Sequence, residues 1–391
     1  MNQIDRADAF EKAERLVRRA WTSLSGVSKR TFETAKELGE KAHPALGQLL
    51  NRTSELLDTK ITNRDPEVQA VVPSVVPTTP AFELPPLREL RPEVQSVADA
   101  ISGVVIGQER TVRLSLCCFV AGGHLLLDGP PGLGKTTLAQ ALSAVTGRAM
   151  RRIQFTADLM PGDLLGVPIF DQNSNSFVFH PGPIFSEIVL ADEVNRAPPR
   201  AQSALLEAMA EGRVSVDGET YSLPEGFFVV ATQNPLGQIG AFPLPESQLD
   251  RFLMRLHFSH PSRGCERDLL RTGDRRTAAE ALRPMEGVDL RTLSAELDKT
   301  VVGDRVLNYL QDLLDASRDP ARFQAGLSVR ASLALLNSAR AWAWMHGSEW
   351  IEPEDIQSVF TPVAEHRLIA HDTAGGGKNL AASILASTAL A

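Results

Sequence analysis

Gly129-Pro130-Pro131-Gly132-Leu133-Gly134-Lys135-Thr136 is the stretch that decides how the chain is read. An apolar run, Leu125-Leu126-Leu127, precedes it, and a segment with Leu138, Ala139, Ala141 and Leu142 at helical spacing follows. The order is therefore strand, glycine-rich turn, helix, which is what a loop wrapped around phosphate needs. Glycines let the backbone turn successive N–H groups toward one anion. The helix opening near Lys135 aims its positive end at the same point. The predicted cofactor-binding loop comprises Gly129, Pro131, Gly132, Leu133, Gly134, Lys135, Thr136 and Thr137. Lys135 brings a mobile positive charge for the β- and γ-phosphates, and Thr136 a hydroxyl for Mg²⁺.

Splitting a nucleoside triphosphate needs positioning and charge neutralisation more than covalent help. Two further strand ends carry suitable groups. Ile188-Val189-Leu190-Ala191 reads as a buried strand that runs into Asp192-Glu193. Asp192 is placed to hold the metal through water, and Glu193, which projects differently, to polarise the attacking water. Phe227 to Thr232 is another buried strand, and Asn234 just past it can bond the same water or the γ-phosphate. Arg251, in Leu249-Asp250-Arg251-Phe252, and Arg330, at the start of a later helix, are candidates for stabilising charge on the transferring phosphoryl group.

Apolar runs alternating with helical patterns over residues 87–261 predict an α/β domain, its mainly parallel sheet covered on both faces. Two hairpins interrupt it, at 167–179 and 214–223, the second marked by Asp217-Gly218. Residues 262–372 carry helical spacing alone and predict an all-helical second domain, with 373–391 as a tail. Residues 1–64 form a helical N-terminal extension, and six prolines between Pro66 and Pro86 make 65–86 an extended linker. A net charge of −8 argues against a general nucleic-acid surface. No apolar run approaches a membrane span, and three cysteines, two of them adjacent, fit a reducing cytoplasm rather than a disulfide framework. His257, His260 and Cys265 lack the compact pairing of a zinc site.

Taken together, His124-Leu125-Leu126-Leu127-Asp128 with the glycine loop, Asp192-Glu193-Val194-Asn195-Arg196-Ala197, Ala231-Thr232-Gln233-Asn234-Pro235 and Leu244 to Phe252 resemble the MoxR family of AAA+ ATPases. The resemblance runs from about Leu87 to Leu368; the family typically writes isoleucine where Val194 stands. It implies a P-loop αβα core with a helical lid, assembled as a homo-oligomeric ring, usually a hexamer, that binds ATP and Mg²⁺. Lys135 and Thr136 would be Walker A, Asp192 and Glu193 Walker B, and Asn234 sensor 1. Arg251 would be an arginine finger reaching a neighbour's nucleotide, Arg330 sensor 2 in cis or in trans, and Val105 and Ile106 the border of the adenine. The hairpins would be insertions facing a pore or a client. The function implied is chaperone-like remodelling of a protein client, often with a von Willebrand A-domain partner. A DNA-acting motor, a magnesium-chelatase-like subunit and a low-turnover nucleotide switch are the rivals. The segment before Leu87 departs from the family pattern.

Overall fold

The computed structural model describes residues 82–234, 242–273, 276–284, 296–371 and 379–388. The predicted extension 1–64, most of the linker 65–86, Pro235 and the Gly375–Lys378 run lie outside the described residues.

Helices α1 (Pro92–Ser102) and α2 (Glu109–Val120) lead into β1 (Leu125–Asp128), then α3 (Lys135–Thr146) and β2 (Met150–Gln154). The first hairpin, β3 (Gly166–Asp171) and β4 (Ser176–Pro181), comes before β5 (Ile188–Asp192) and α4 (Pro199–Glu211). The second hairpin, β6 (Arg213–Val216) and β7 (Glu219–Ser222), leads to β8 (Phe228–Gln233) and β9 (Met254–His257). Five strands form one sheet in the order β2-β5-β8-β1-β9, with every pairing parallel. Parallel neighbours need long crossovers, so all five strands point their carboxyl ends at one edge.

Strand periodicity divides the core in two. Leu125, Leu127, Leu190 and Val230 pack on one face with α1 to α3 and the later helices. Leu126, Val189, Ala191 and Val229 pack on the other with Leu205, Leu206 and Met209 of α4. Neighbouring residues of one strand thus enter different cores, as successive side chains of a pleated strand must. This explains why β1, β5 and β8 read as unbroken apolar runs.

The later part comprises α5 (Arg263–Thr272), α6 (Arg276–Ala281), α7 (Asp304–Ser317), α8 (Val329–Met345) and α9 (Pro353–Ala364), followed by α10 (Leu380–Ser387). It departs from the all-helical expectation: β10 (Phe323–Ala325) pairs antiparallel with β11 (Ile369–Ala370), and Val301 forms an isolated parallel bridge with Trp350. The segment predicted as a tail also contains α10, whose Ala381, Ile384 and Leu385 are buried. The Glu365 carboxylate caps that helix, accepting the N–H groups of Leu380 and Ala381 at 3.0 and 2.8 Å. Arg367 joins these helices to the sheet. Its guanidinium bonds the Asp250 carboxylate at 2.6 Å and the carbonyls of Asp250, Phe252, Leu253 and Val363.

Candidate active site

The glycine loop stands at the carboxyl edge of the sheet, between β1 and α3. Gly132 and Gly134 have φ of 83° and 98°, a left-handed region that costs other residues strain. Nothing lies within 4 Å of where a Cβ would stand on either, so the space beside both is open. The Lys135 ammonium is tethered to the carbonyls of Gly129 and Pro130, the latter at 3.1 Å. Burial lowers its pKa, while Asp128, Asp192 and Glu193 act in the opposite direction. Asp128, the last residue of β1, is bonded by Arg255 of β9.

The acids converge on the same edge. Asp192 is buried at the end of β5; its Oδ1 accepts the Thr232 hydroxyl at 2.6 Å and its Oδ2 pairs with Arg152 of β2 at 2.5 Å. Glu193 leaves the strand with φ 57° and ψ 47°. Its Oε1 accepts Asn234 Nδ2 at 2.7 Å, and its Oε2 accepts Gln154 at 3.2 Å and pairs with Arg196 at 3.0 Å. The Asn234 carbonyl in turn accepts Asn195 Nδ2 at 3.2 Å. Lys135, Asp192, Glu193 and Asn234, chosen from separate segments of sequence, are therefore brought together. The donors on offer, the Thr136 hydroxyl and the Asp192 carboxylate, are hard oxygens of the kind Mg²⁺ takes beside phosphate. The open glycine loop with its ammonium suits the phosphates themselves. Sequence reading missed Thr232, Gln154, Arg152 and Arg196, whose roles depend on which strands and turns are neighbours.

Of the two predicted arginines, Arg251 lies elsewhere. Arg251 precedes β9, and β9 runs parallel to β1 with Met254 opposite Leu125, the first residue of that strand. Arg251 is thus at the amino edge, with the whole of β1, roughly 13 Å of strand, between it and its own loop. Its Nη1 donates to the Leu206 carbonyl of α4 at 3.1 Å. Arg330 is exposed at the start of α8. Arg367, which grips the chain just before β9, has its pKa lowered by burial, held up by Asp250 and lowered again by the Arg330 charge. Val105 is buried in the core and Ile106 half-buried. Their loop is tied down by Gln108, whose side chain donates to the Ser259 carbonyl at 2.7 Å.

Residues 124–254 match the family of ATPases associated with various cellular activities (AAA), and residues 315–385 match the AAA lid domain. The Mycobacterium tuberculosis protein named Chaperone MoxR1 is 36% identical over 306 residues, covering 74% of this chain and 81% of its own. Protein MoxR of Paracoccus denitrificans is 31% identical over 296 residues, 69% of this chain and 86% of its own. The chain belongs to the MoxR family of AAA+ ATPases. YeaC of Bacillus subtilis is 40% identical over 287 residues, 73% of this chain and 90% of its own. A crystal structure from Cytophaga hutchinsonii superposes with a TM-score of 0.68 at 33% identity, covering 76% of this chain and 95% of the other. As a MoxR-family protein the chain binds nucleotide and hydrolyses ATP, on a P-loop αβα core with a helical lid. Among the described residues no helix is long and apolar enough to cross a membrane.

Proposed function

We propose that this MoxR-type ATPase is a ring-forming, chaperone-like remodeller of a protein client, working in the cytoplasm and cleaving ATP where two copies meet. On this reading residues 87–261 are the motor core and 262–372 the lid. Lys135 and the loop amides grip the triphosphate. Thr136, with Asp192 acting through water, would hold Mg²⁺, which when bound neutralises phosphate charge. Glu193 takes the proton of the attacking water, and Asn234 fixes the Glu193 carboxylate at 2.7 Å. Arg251 serves the neighbour's nucleotide rather than its own, and Arg330 acts as sensor 2 in cis or in trans. Val105 and Ile106 border the base. The chaperone-like part rests on the name of the Mycobacterium relative. It is supported by the first hairpin, where Phe170 and Phe177 stand 48% and 72% exposed, apolar surface suited to gripping polypeptide. A von Willebrand A-domain protein is the adaptor this reading expects.

One observation carries the interface reading: Arg251 stands at the amino edge of a sheet whose loop and acids stand at the carboxyl edge. Arg251→Ala and Lys135→Ala chains are each expected to lose ATP turnover, and mixing them to restore part of it. Absence of rescue at every mixing ratio would place the arginine elsewhere. Glu193→Gln is expected to keep ATP binding while turnover falls by about 10²–10⁴.

A further inference from the structure

Thr232 is 1% exposed, at the penultimate position of β8. Its hydroxyl donates to Asp192 Oδ1 at 2.6 Å and accepts the Glu193 backbone N–H at 2.9 Å. Each direction is forced, because an ionised carboxylate only accepts and an amide only donates. One oxygen atom therefore holds the side chain of one acid and the backbone of the next. It does so where β5 ends and Glu193 turns to φ 57°, ψ 47°, a conformation that costs a residue with a Cβ. From that turn the Glu193 carboxylate reaches Asn234, one strand away.

We infer that Thr232 is a positioning residue for ATP hydrolysis: its hydroxyl fixes the Glu193 backbone in the left-handed turn that aims the carboxylate. The inference rests on the reading of Glu193 as the base that activates water. Threonine suits the task better than serine because branching at Cβ restricts χ1 and keeps the oxygen aimed at both partners. Loss of the hydroxyl frees the Glu193 turn without touching Lys135 or the glycine loop. Asp192 also loses this bond but keeps its Arg152 pair at 2.5 Å, so the effect falls chiefly on kcat and changes nucleotide binding little.

The test measures kcat and KM for ATP, affinity for a fluorescent ATP analogue, and thermal melting, for Thr232→Val, Thr232→Ser and Glu193→Gln in the full chain. Thr232→Val is expected to lower kcat about 10- to 100-fold, with KM and analogue affinity within about threefold of wild type. Thr232→Ser should return kcat to within about threefold of wild type. Adding Thr232→Val to Glu193→Gln should cost no further turnover, because the aimed group is already gone. Thr232→Ala, which only removes atoms, is read in the same way where the valine chain fails to fold. Wild-type kcat in the valine or alanine chain, a loss confined to KM, or a serine chain as slow as valine overturns the inference. Wild-type turnover by Glu193→Gln instead overturns the assignment of the base, so the two failures are told apart.

Discussion

His124, the residue before β1, uses both ring nitrogens. Nδ1 accepts the Val229 N–H at 3.1 Å, so the ring proton sits on Nε2 and is given to the Met209 carbonyl at 3.1 Å. A second proton would point at another donor. Burial lowers the pKa from 6.5 to about 4, and the Met209 bond pulls the other way. With the folded value below the unfolded one, the contribution to stability is whole above about pH 6.5 and is lost as pH falls toward 4, at about 1.4 kcal/mol per pH unit. His366, pushed well below its ordinary value by burial, acts with the same sign. Urea melts between pH 7 and 4.5 are expected to lose stability steadily, and His124→Gln to flatten part of that slope. An unchanged slope would remove His124 from the account. At this scale the sequence was legible wherever partners are contiguous, as in the glycine loop and Asp192-Glu193. It was silent where they are not. Gln154 meets Glu193 because β2 pairs with β5 in a register that puts Gln154 beside Asp192, and nothing local to Gln154 records that register.

The hairpins carry the lesson for elements. Asp217 and Gly218, with φ of 51° and 85°, make the two-residue turn that the dipeptide announces. What joins one hairpin to the other was not legible: Phe179 of β4 stacks on Tyr221 of β7 with centroids 4.0 Å apart and planes 17° from parallel. Such a contact is worth about 1 kcal/mol beyond the area it covers. Tyr221→Ala is therefore expected to speed backbone hydrogen exchange in β3 and β4 by about tenfold while ATP affinity stays as in wild type. Exchange at the wild-type rate would mean that the hairpins stand independently. The short β10–β11 pair escaped because two or three residues carry no readable alternation. The helix α10 escaped because Ala, Ser and Leu in succession, from Leu380 to Ser387, leave little contrast between its faces.

For the molecule as a whole, lid and core share an apolar cluster, and Arg367 adds a buried cation at their joint with one carboxylate and four carbonyls around it. Arg367→Ala leaves the half-buried Asp250 carboxylate without its cation and is expected to cost on the order of 3–5 kcal/mol, read as an earlier denaturant midpoint or a lid transition that splits from the core. A single transition at the wild-type midpoint would show that the joint lies elsewhere. The division into sheet and later helices was legible because strand patterns stop at Pro261. The joint was not, since Asp250 and Arg367 are 117 residues apart.

Gly129 opens the phosphate loop against the end of β9, where a Cβ would come within 2.6 Å of the Phe258 carbonyl. A few residues on, Pro261 and Cys265 crowd Gly107 in the same way, at 3.1 and 3.2 Å. Phe258, Pro261 and Cys265 lie on the stretch that runs from the end of β9 into α5. Any shift of that stretch would therefore bear at once on Gly129, where the phosphate loop opens, and on the loop of Val105 and Ile106. Two absent side chains bring the end of the sheet into direct contact with both loops.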